Sequence, residues 1–140
     1  MRVLVADDNT EIRSALRLAL HEVSDQWEAD DEERTEAAAA HCTVLEAVDA
    51  TDALILLKNS DIDLLLLDWD LPGLDAEKAL PRIRARMPRC TMIAMSGRPE
   101  VQDRSLRSGA DYFVGRNDPP VRLLGILREI WDAQQTAPER

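Results

Sequence analysis

Long apolar runs, cysteine, lysine and aromatic residues are all scarce in this sequence, and each shortage excludes something. No apolar stretch approaches the roughly 18 residues that suggest a membrane span. The N-terminus, Met1-Arg2-Val3-Leu4-Val5, reaches Asp7 and Asp8 before the apolar region of a secretory leader could form. Both points lead to the expectation of a cytoplasmic protein without membrane contact. There are two cysteines, Cys42 and Cys90. They form no Cys-x-x-Cys pair and have no histidines at metal spacing, so reduced thiols in packing positions are expected. His41 beside Cys42 does not change this, because adjacent side chains on one segment chelate a metal poorly. There are also only two lysines, Lys58 and Lys78, both in segments that read as surface helices. With a net charge of −10, the chain lacks the cationic face that nucleic acid requires, and no direct nucleic-acid binding is expected.

What is present describes one ordinary domain. A chain of 140 residues with 45% apolar content can bury a core without disulfides or a structural metal. The charge is unevenly placed. Residues 24–43 contain seven acids and one base, six of the ten net negative charges. The same stretch holds Trp27 and four consecutive alanines at 37–40, so it can extend a helix, form a separate one or stay a solvated acidic loop.

Periodicity alternates between strand and helix. Val3–Ala6 reads as a buried strand that stops at Asp7-Asp8-Asn9. A helix follows from Thr10, capped by Asn9 or Thr10, with Ile12, Leu16, Ala19 and Leu20 on one face. Thr43–Val48 reads as a second strand, and a helix over about 51–58 places Ala53, Leu54 and Leu57 inward. Leu64–Leu67 is continuously apolar, the mark of a central strand covered on both faces. Asp75 caps a helix to about Met87, with Pro81 expected to kink it or delay its start. Thr91–Met95 and Tyr112–Val114 read as the fourth and fifth strands, separated by a helix that Pro99 opens and Gly109 closes. Asp118-Pro119-Pro120 starts a last helix with Val121, Leu124, Leu127 and Trp131 on one stripe. Residues 132–140 read as a flexible tail. Five β-α units imply an α/β, doubly wound parallel sheet with helices on both faces.

In such a fold, ligands collect beyond the C-terminal strand ends at the point where strand order reverses. The residues there are Asp7 and Asp8 after strand one, Asp68 after strand three, Ser96 after strand four and Arg116 after strand five. Three carboxylates on one edge repel unless a cation neutralises them. Mg²⁺ suits this role because it binds one or two carboxylates together with waters and a phosphate oxygen. A hydroxyl and a cation nearby suit a phosphoryl group, and an aspartate can itself be the nucleophile. Read singly, each acid is only a helix cap. An Asp pair after strand one with a third Asp after an all-apolar strand three is much less expected by chance.

The blocks Val-Leu-Val-Ala-Asp-Asp (3–8), Leu-Leu-Leu-Asp-Trp-Asp-Leu-Pro-Gly (65–73), Met-Ser-Gly (95–97) and Gly-Ala-Asp-Tyr-Phe-Val (109–114) resemble the signature blocks of response-regulator receiver domains. Residues 118–124 resemble receivers coupled to helix-turn-helix outputs. The resemblance covers the chain except about residues 24–42, and the blocks occur in the family's order. It implies a flavodoxin-like strand order 2-1-3-4-5 and a receiver domain over 1–131 with an acidic insertion at about 24–42. It also implies a phosphoacceptor switch that is not a conventional enzyme. Asp68 would accept phosphate from a sensor histidine kinase. Asp7 and Asp8, with Asp68 and the backbone carbonyl of Asp70, would bind Mg²⁺ or Mn²⁺. Ser96 and Gly97 would meet the phosphoryl group, and Phe113 would change rotamer with Ser96. The implied partners are the kinase and an output domain or effector protein, with a homodimer possible.

Three features depart from the family pattern. The position after strand five that usually holds lysine holds Arg116, which differs from lysine in reach, shape and hydration. The acidic segment 24–42 is an insertion. No length sufficient for an output domain follows residue 131, which leaves open a single-domain regulator and a piece of a longer chain. Two other readings compete. One is a receiver-like interaction module that works without phosphate, which Arg116 favours. The other is a haloacid-dehalogenase-type phosphatase, from Asp68-Trp69-Asp70; that resemblance expects the motif on strand one and a lysine in the site, and neither is present. Smaller expectations place Trp69 partly exposed in a loop and His21 near a helix end. Arg82, Arg84, Arg86 and Arg89 are expected to favour a helix dipole.

Overall fold

The computed structural model describes residues 1–29 and 42–136. Strands and helices alternate through them as β1 (Arg2–Ala6), α1 (Thr10–Ala29), β2 (Thr43–Ala47), α2 (Ala50–Asn59), β3 (Leu64–Asp68), α3 (Ala76–Arg86), β4 (Thr91–Ser96), α4 (Gln102–Ser108), β5 (Tyr112–Gly115) and α5 (Pro120–Thr136). A 3-10 turn over Pro99–Val101 leads into α4. All strand pairs are parallel, in the order β2-β1-β3-β4-β5. This is the expected doubly wound, flavodoxin-like sheet.

The two-residue period of a strand sorts the core into two layers. Leu4, Ala6, Leu65, Leu67, Met92, Ala94 and Phe113 face one side and pack with Ala53 and Leu57 of α2, Leu80 and Ile83 of α3, and Val101. Val3, Val5, Leu64, Leu66, Ile93, Met95 and Val114 face the other and pack with Leu16, Leu20 and Val23 of α1 and Leu127, Ile130 and Trp131 of α5. β3 is buried at every position because helices cover both of its faces.

Local chemistry sets the element ends. Asn9 Oδ1 accepts the backbone N–H groups of Glu11 (2.9 Å) and Ile12 (3.2 Å) at the start of α1. Asp49 and Asp75 cap α2 and α3 in the same way. Gly109 ends α4 at φ +126°, which L side chains rarely adopt, and its N–H reaches back to the Leu106 and Ser105 carbonyls. Pro81 lies inside α3, which nonetheless starts at Ala76, so the proline does not delay the helix.

Several expectations are corrected. Leu54 is 49% exposed while Ala50, Ala53 and Leu57 are buried, because α2 meets the sheet along the 50–53–57 edge of its apolar face. Val121 is 73% exposed, and Ile130 takes its place in the stripe with Leu127 and Trp131. Trp69 is buried rather than partly exposed. Its backbone N–H donates to the Met95 carbonyl at 2.8 Å, which draws the residue against the end of β4. His21 sits exposed within α1 rather than near its end, because the helix continues to Ala29 and takes up the first part of the expected insertion. Residues 30–41 of that insertion, with the alanine run and His41, lie outside the described residues. α5 continues to Thr136, five residues past Trp131, and residues 137–140 of the expected tail lie outside the description. No described helix is long and apolar enough to cross a membrane.

Candidate functional site

Strand order reverses at β1, which has β2 on one side and β3 on the other. Asp7 follows β1 directly and Asp68 is the last residue of β3, so the reversal places their carboxylates side by side. Both are buried, whereas Asp8 is exposed. One carboxylate oxygen from each of Asp7, Asp8 and Asp68 lies within 4.8 Å of the other two. Oxygen ligands at this spacing, two buried and one open to solvent, fit a hard divalent cation that keeps several waters.

Backbone and side-chain donors hold the acids in place. The Asn9 N–H donates to Asp7 Oδ1 at 2.9 Å, and the Asp70 N–H donates to Asp68 Oδ1 at 3.0 Å. The Arg13 Nη1 group donates to the Asp7 carbonyl at 2.9 Å, with its Nε paired to Glu46 at 3.3 Å. Arg17 also pairs with Glu46. Arg13 and Glu46 lie inside α1 and β2 rather than after an apolar run, so the strand-end pattern of the sequence does not mark them. Their one signal is the i, i+4 repeat of Arg13 and Arg17 on α1, which points both at β2.

Arg116 reaches this cluster from the end of β5. Its Nη2 lies 3.0 Å from Asp7 Oδ2 and 3.1 Å from Asp68 Oδ1, so one terminal nitrogen spans both buried carboxylates. Burial opposes the charge on Arg116, but Asp7 and Asp68 outweigh it and raise its pKa further. The Asp68 pKa is also raised. Desolvation is the largest cause, opposed by the Asp70 N–H; repulsion from Asp7 adds to it and Arg116 opposes it. The pair favours the charged arginine, while the carboxylate still bears a net cost of burial.

Ser96 is buried at the end of β4. Its Oγ donates to Asp70 Oδ2 at 3.2 Å and accepts the Arg98 N–H at 3.0 Å. The Arg98 guanidinium pairs with Asp70 Oδ1. Gly97 lies beside the arginine stem, where an added Cβ would meet Arg116 Cδ at 3.7 Å, an ordinary contact. Phe113 is buried, and with Ser96, Gly97 and Arg116 it lines a cavity of about 370 Å³. Asp7, Asp8, Asp68, Asp70, Ser96, Gly97 and Arg116 therefore lie at one sheet edge, whereas Phe113 sits inside β5 opposite Ala94, in the core layer beneath it. Asp118 and Arg122 join them without having been singled out. Asp118 accepts the Gly115 N–H at 2.8 Å and pairs with Arg122 Nε at 3.1 Å, an i, i+4 spacing visible in the sequence. Cys90 lies away from this edge, and burial pushes its thiol up to about 12.

The chain matches the family described as "Response regulator receiver domain" over residues 30–128. That span contains Asp68, Ser96 and Arg116 but not Asp7 or Asp8. The chain is 25% identical over 136 residues to a protein named "Chemotaxis protein CheY homolog" from Campylobacter jejuni, covering 93% of this chain and 92% of that one. It is 28% identical over 135 residues to the "Hydrogenase transcriptional regulatory protein HoxA" of Cupriavidus necator, covering 94% of this chain but 24% of that protein. Among solved structures, the signal receiver domain of a DNA-binding response regulator from Colwellia psychrerythraea superposes with a TM-score of 0.77 at 19% identity, covering 94% and 98% of the two chains. A CheY-like receiver domain from Methanospirillum hungatei superposes at 0.72 with 25% identity, covering 96% of each.

Proposed function

Because the chain belongs to the response-regulator receiver family of two-component systems, we propose that it is a phosphoacceptor switch in which Asp68 receives a phosphoryl group from a sensor histidine kinase. The observation that carries this reading is the convergence of Asp7, Asp8 and Asp68 within 4.8 Å, with Ser96 and Arg116 on the same sheet edge. An Asp68 oxygen attacks phosphorus, the P–N bond to the donor histidine breaks, and the imidazole leaves. Asp7 and Asp8, with Asp68 and the Asp70 carbonyl, would hold Mg²⁺ or Mn²⁺, which when bound would supply counter-charge for the carboxylates and the phosphoryl oxygens. Arg116 pairs with a phosphoryl oxygen in the place of the family's usual lysine. Ser96 donates to another, and Phe113 moves with it, so that the surface formed by α4, β5 and α5 changes. The domain accepts a phosphoryl group and slowly hydrolyses it, and is not a conventional enzyme. Its partners are the kinase and an output domain or effector protein, met in the cytoplasm, with no direct contact to nucleic acid or membrane.

A second reading has one observation in its favour. Arg116 already spans Asp7 and Asp68, which supplies an internal counter-charge and suits an interaction module that works without phosphate. Intact-mass measurement after addition of acetyl phosphate separates the two. We expect Mg²⁺-dependent gain of one phosphate in the wild type and none in Asp68→Asn. Mg²⁺ binding followed by Trp fluorescence, with no phosphate uptake from either acetyl phosphate or a kinase, would leave the second reading standing.

A further inference from the structure

Ser96 Oγ has a single proton, and in this structure Asp70 holds it. The hydroxyl donates to Asp70 Oδ2 at 3.2 Å and accepts the Arg98 N–H at 3.0 Å. The other Asp70 oxygen pairs with the Arg98 guanidinium. The Asp70 N–H is fixed on Asp68 Oδ1 at 3.0 Å. The backbone of Asp70 is thus tied to the acceptor while its side chain is turned to the hydroxyl of β4. On the phosphoacceptor reading above, on which this inference rests, a phosphoryl group on Asp68 needs the same hydroxyl proton. One O–H makes a full-strength, near-linear hydrogen bond to only one of two anionic acceptors at a time.

We propose that Asp70 is an internal competitor for the Ser96 hydroxyl, an autoinhibitory contact that holds the switch in its resting state. Arg98 fixes the competing carboxylate by binding its outer oxygen and presents its own backbone N–H to the hydroxyl, so the three residues form one latch. Phosphorylation turns the switch when the phosphoryl oxygen takes the hydrogen bond from Asp70. Asp70 is then a positioning residue. It acts through Ser96 and sets how readily the pocket accepts a phosphoryl group.

Asp70 also carries a negative charge near the pocket and would weaken phosphoryl binding by repulsion alone. A double-mutant cycle separates the two causes. Beryllofluoride with Mg²⁺ serves as the phosphoryl mimic, and its affinity is read from Trp fluorescence. Asp70→Ala is expected to tighten binding about tenfold in the wild-type background, the scale of one hydrogen bond to a charged group. In the Ser96→Ala background the same change should shift affinity less than about twofold. In the unliganded protein, the Arg98 amide resonance should move with Asp70→Ala, because its acceptor Ser96 Oγ has been released. Should Asp70→Ala not fold, Asp70→Ser shortens the side chain away from Ser96 and gives the same ordering. An equal gain in both backgrounds, or no gain in the wild-type background, overturns the latch and leaves the phosphoacceptor reading intact. Failure of the folded wild type and Asp70→Ala alike to bind beryllofluoride overturns both.

Discussion

Asp68 bears a cost that its neighbours do not fully offset. Burial and Asp7 raise its pKa above the ordinary 3.8, and the Asp70 N–H and Arg116 pull the other way without cancelling the shift. The folded state therefore holds its proton more tightly than the unfolded chain does, and stability falls as pH rises through the folded pKa. Asp68→Asn removes the charge and keeps the shape. At pH 7 without divalent ions it should stabilise the domain by about 1 kcal/mol, or roughly 3 °C in melting temperature. That advantage should shrink as pH is lowered through the folded pKa and vanish below the unfolded value; a melting series against pH checks it. Arg116 is the other residue on which the site turns. Lysine has no planar fork and is more strongly hydrated, so Arg116→Lys should preserve Mg²⁺ binding but alter the phosphorylation rate or its coupling to the output face on the order of threefold. Unchanged values for both would contradict that role. These residues were legible in the sequence because each follows an apolar run. The burial of Trp69 was not, since a tryptophan between two aspartates reads as loop surface until the Met95 carbonyl is seen to hold it.

α3 shows how an element is fixed by more than its apolar face. Arg84 donates to the carbonyls of Pro88 (3.2 Å), Cys90 (2.6 Å) and Gly109 (3.0 Å) and to the Asp111 carboxylate at 2.7 Å. Asp111 in turn accepts the Met92 N–H at 2.8 Å. This one side chain ties the end of α3 to the start of β4 and the turn before β5. Arg84→Ala leaves those acceptors partly unpaired and should cost about 2 kcal/mol, whereas Arg82→Ala or Arg89→Ala, at exposed positions, should stay within about 0.5 kcal/mol. Urea unfolding of the three variants tests the contrast. The sequence showed four arginines around a helix end and suggested a dipole effect for all of them. Only the fold separates them: Arg84 gathers four acceptors up to 27 residues away, and Arg86 reaches the Lys58 carbonyl at 2.7 Å. Helix existence was legible from periodicity, but the inward edge of α2 and the reach of α1 and α5 were not, since local propensity does not set the angle at which a helix meets the sheet.

The whole molecule concentrates three acids where strand order reverses, and its stability should respond to a cation there. A ligand that binds only the folded state, at about 100 times its Kd, adds about 2.7 kcal/mol. Mg²⁺ should therefore raise the melting temperature of the wild type by several degrees. The rise should be lost in Asp7→Asn, compared with that variant's own metal-free melt. An equal rise in both proteins would place the cation elsewhere on this acidic chain.

The sequence by itself determined the α/β class, the alternation that splits the core into two layers, and the set of residues at the strand ends. These follow from local regularities: a two-residue strand period, a helical stripe, and polar residues that end apolar runs. The tertiary structure decided which of those residues engage one another. Arg116 meets Asp7 across 109 residues of chain, and the Ser96 hydroxyl donates its hydrogen bond to Asp70 rather than to Asp68. Leu54 and Val121 turn to solvent while Trp69 turns inward. Each of these depends on which atoms lie within about 3 Å once strands and helices have packed, a distance that no pattern of neighbours along the chain encodes.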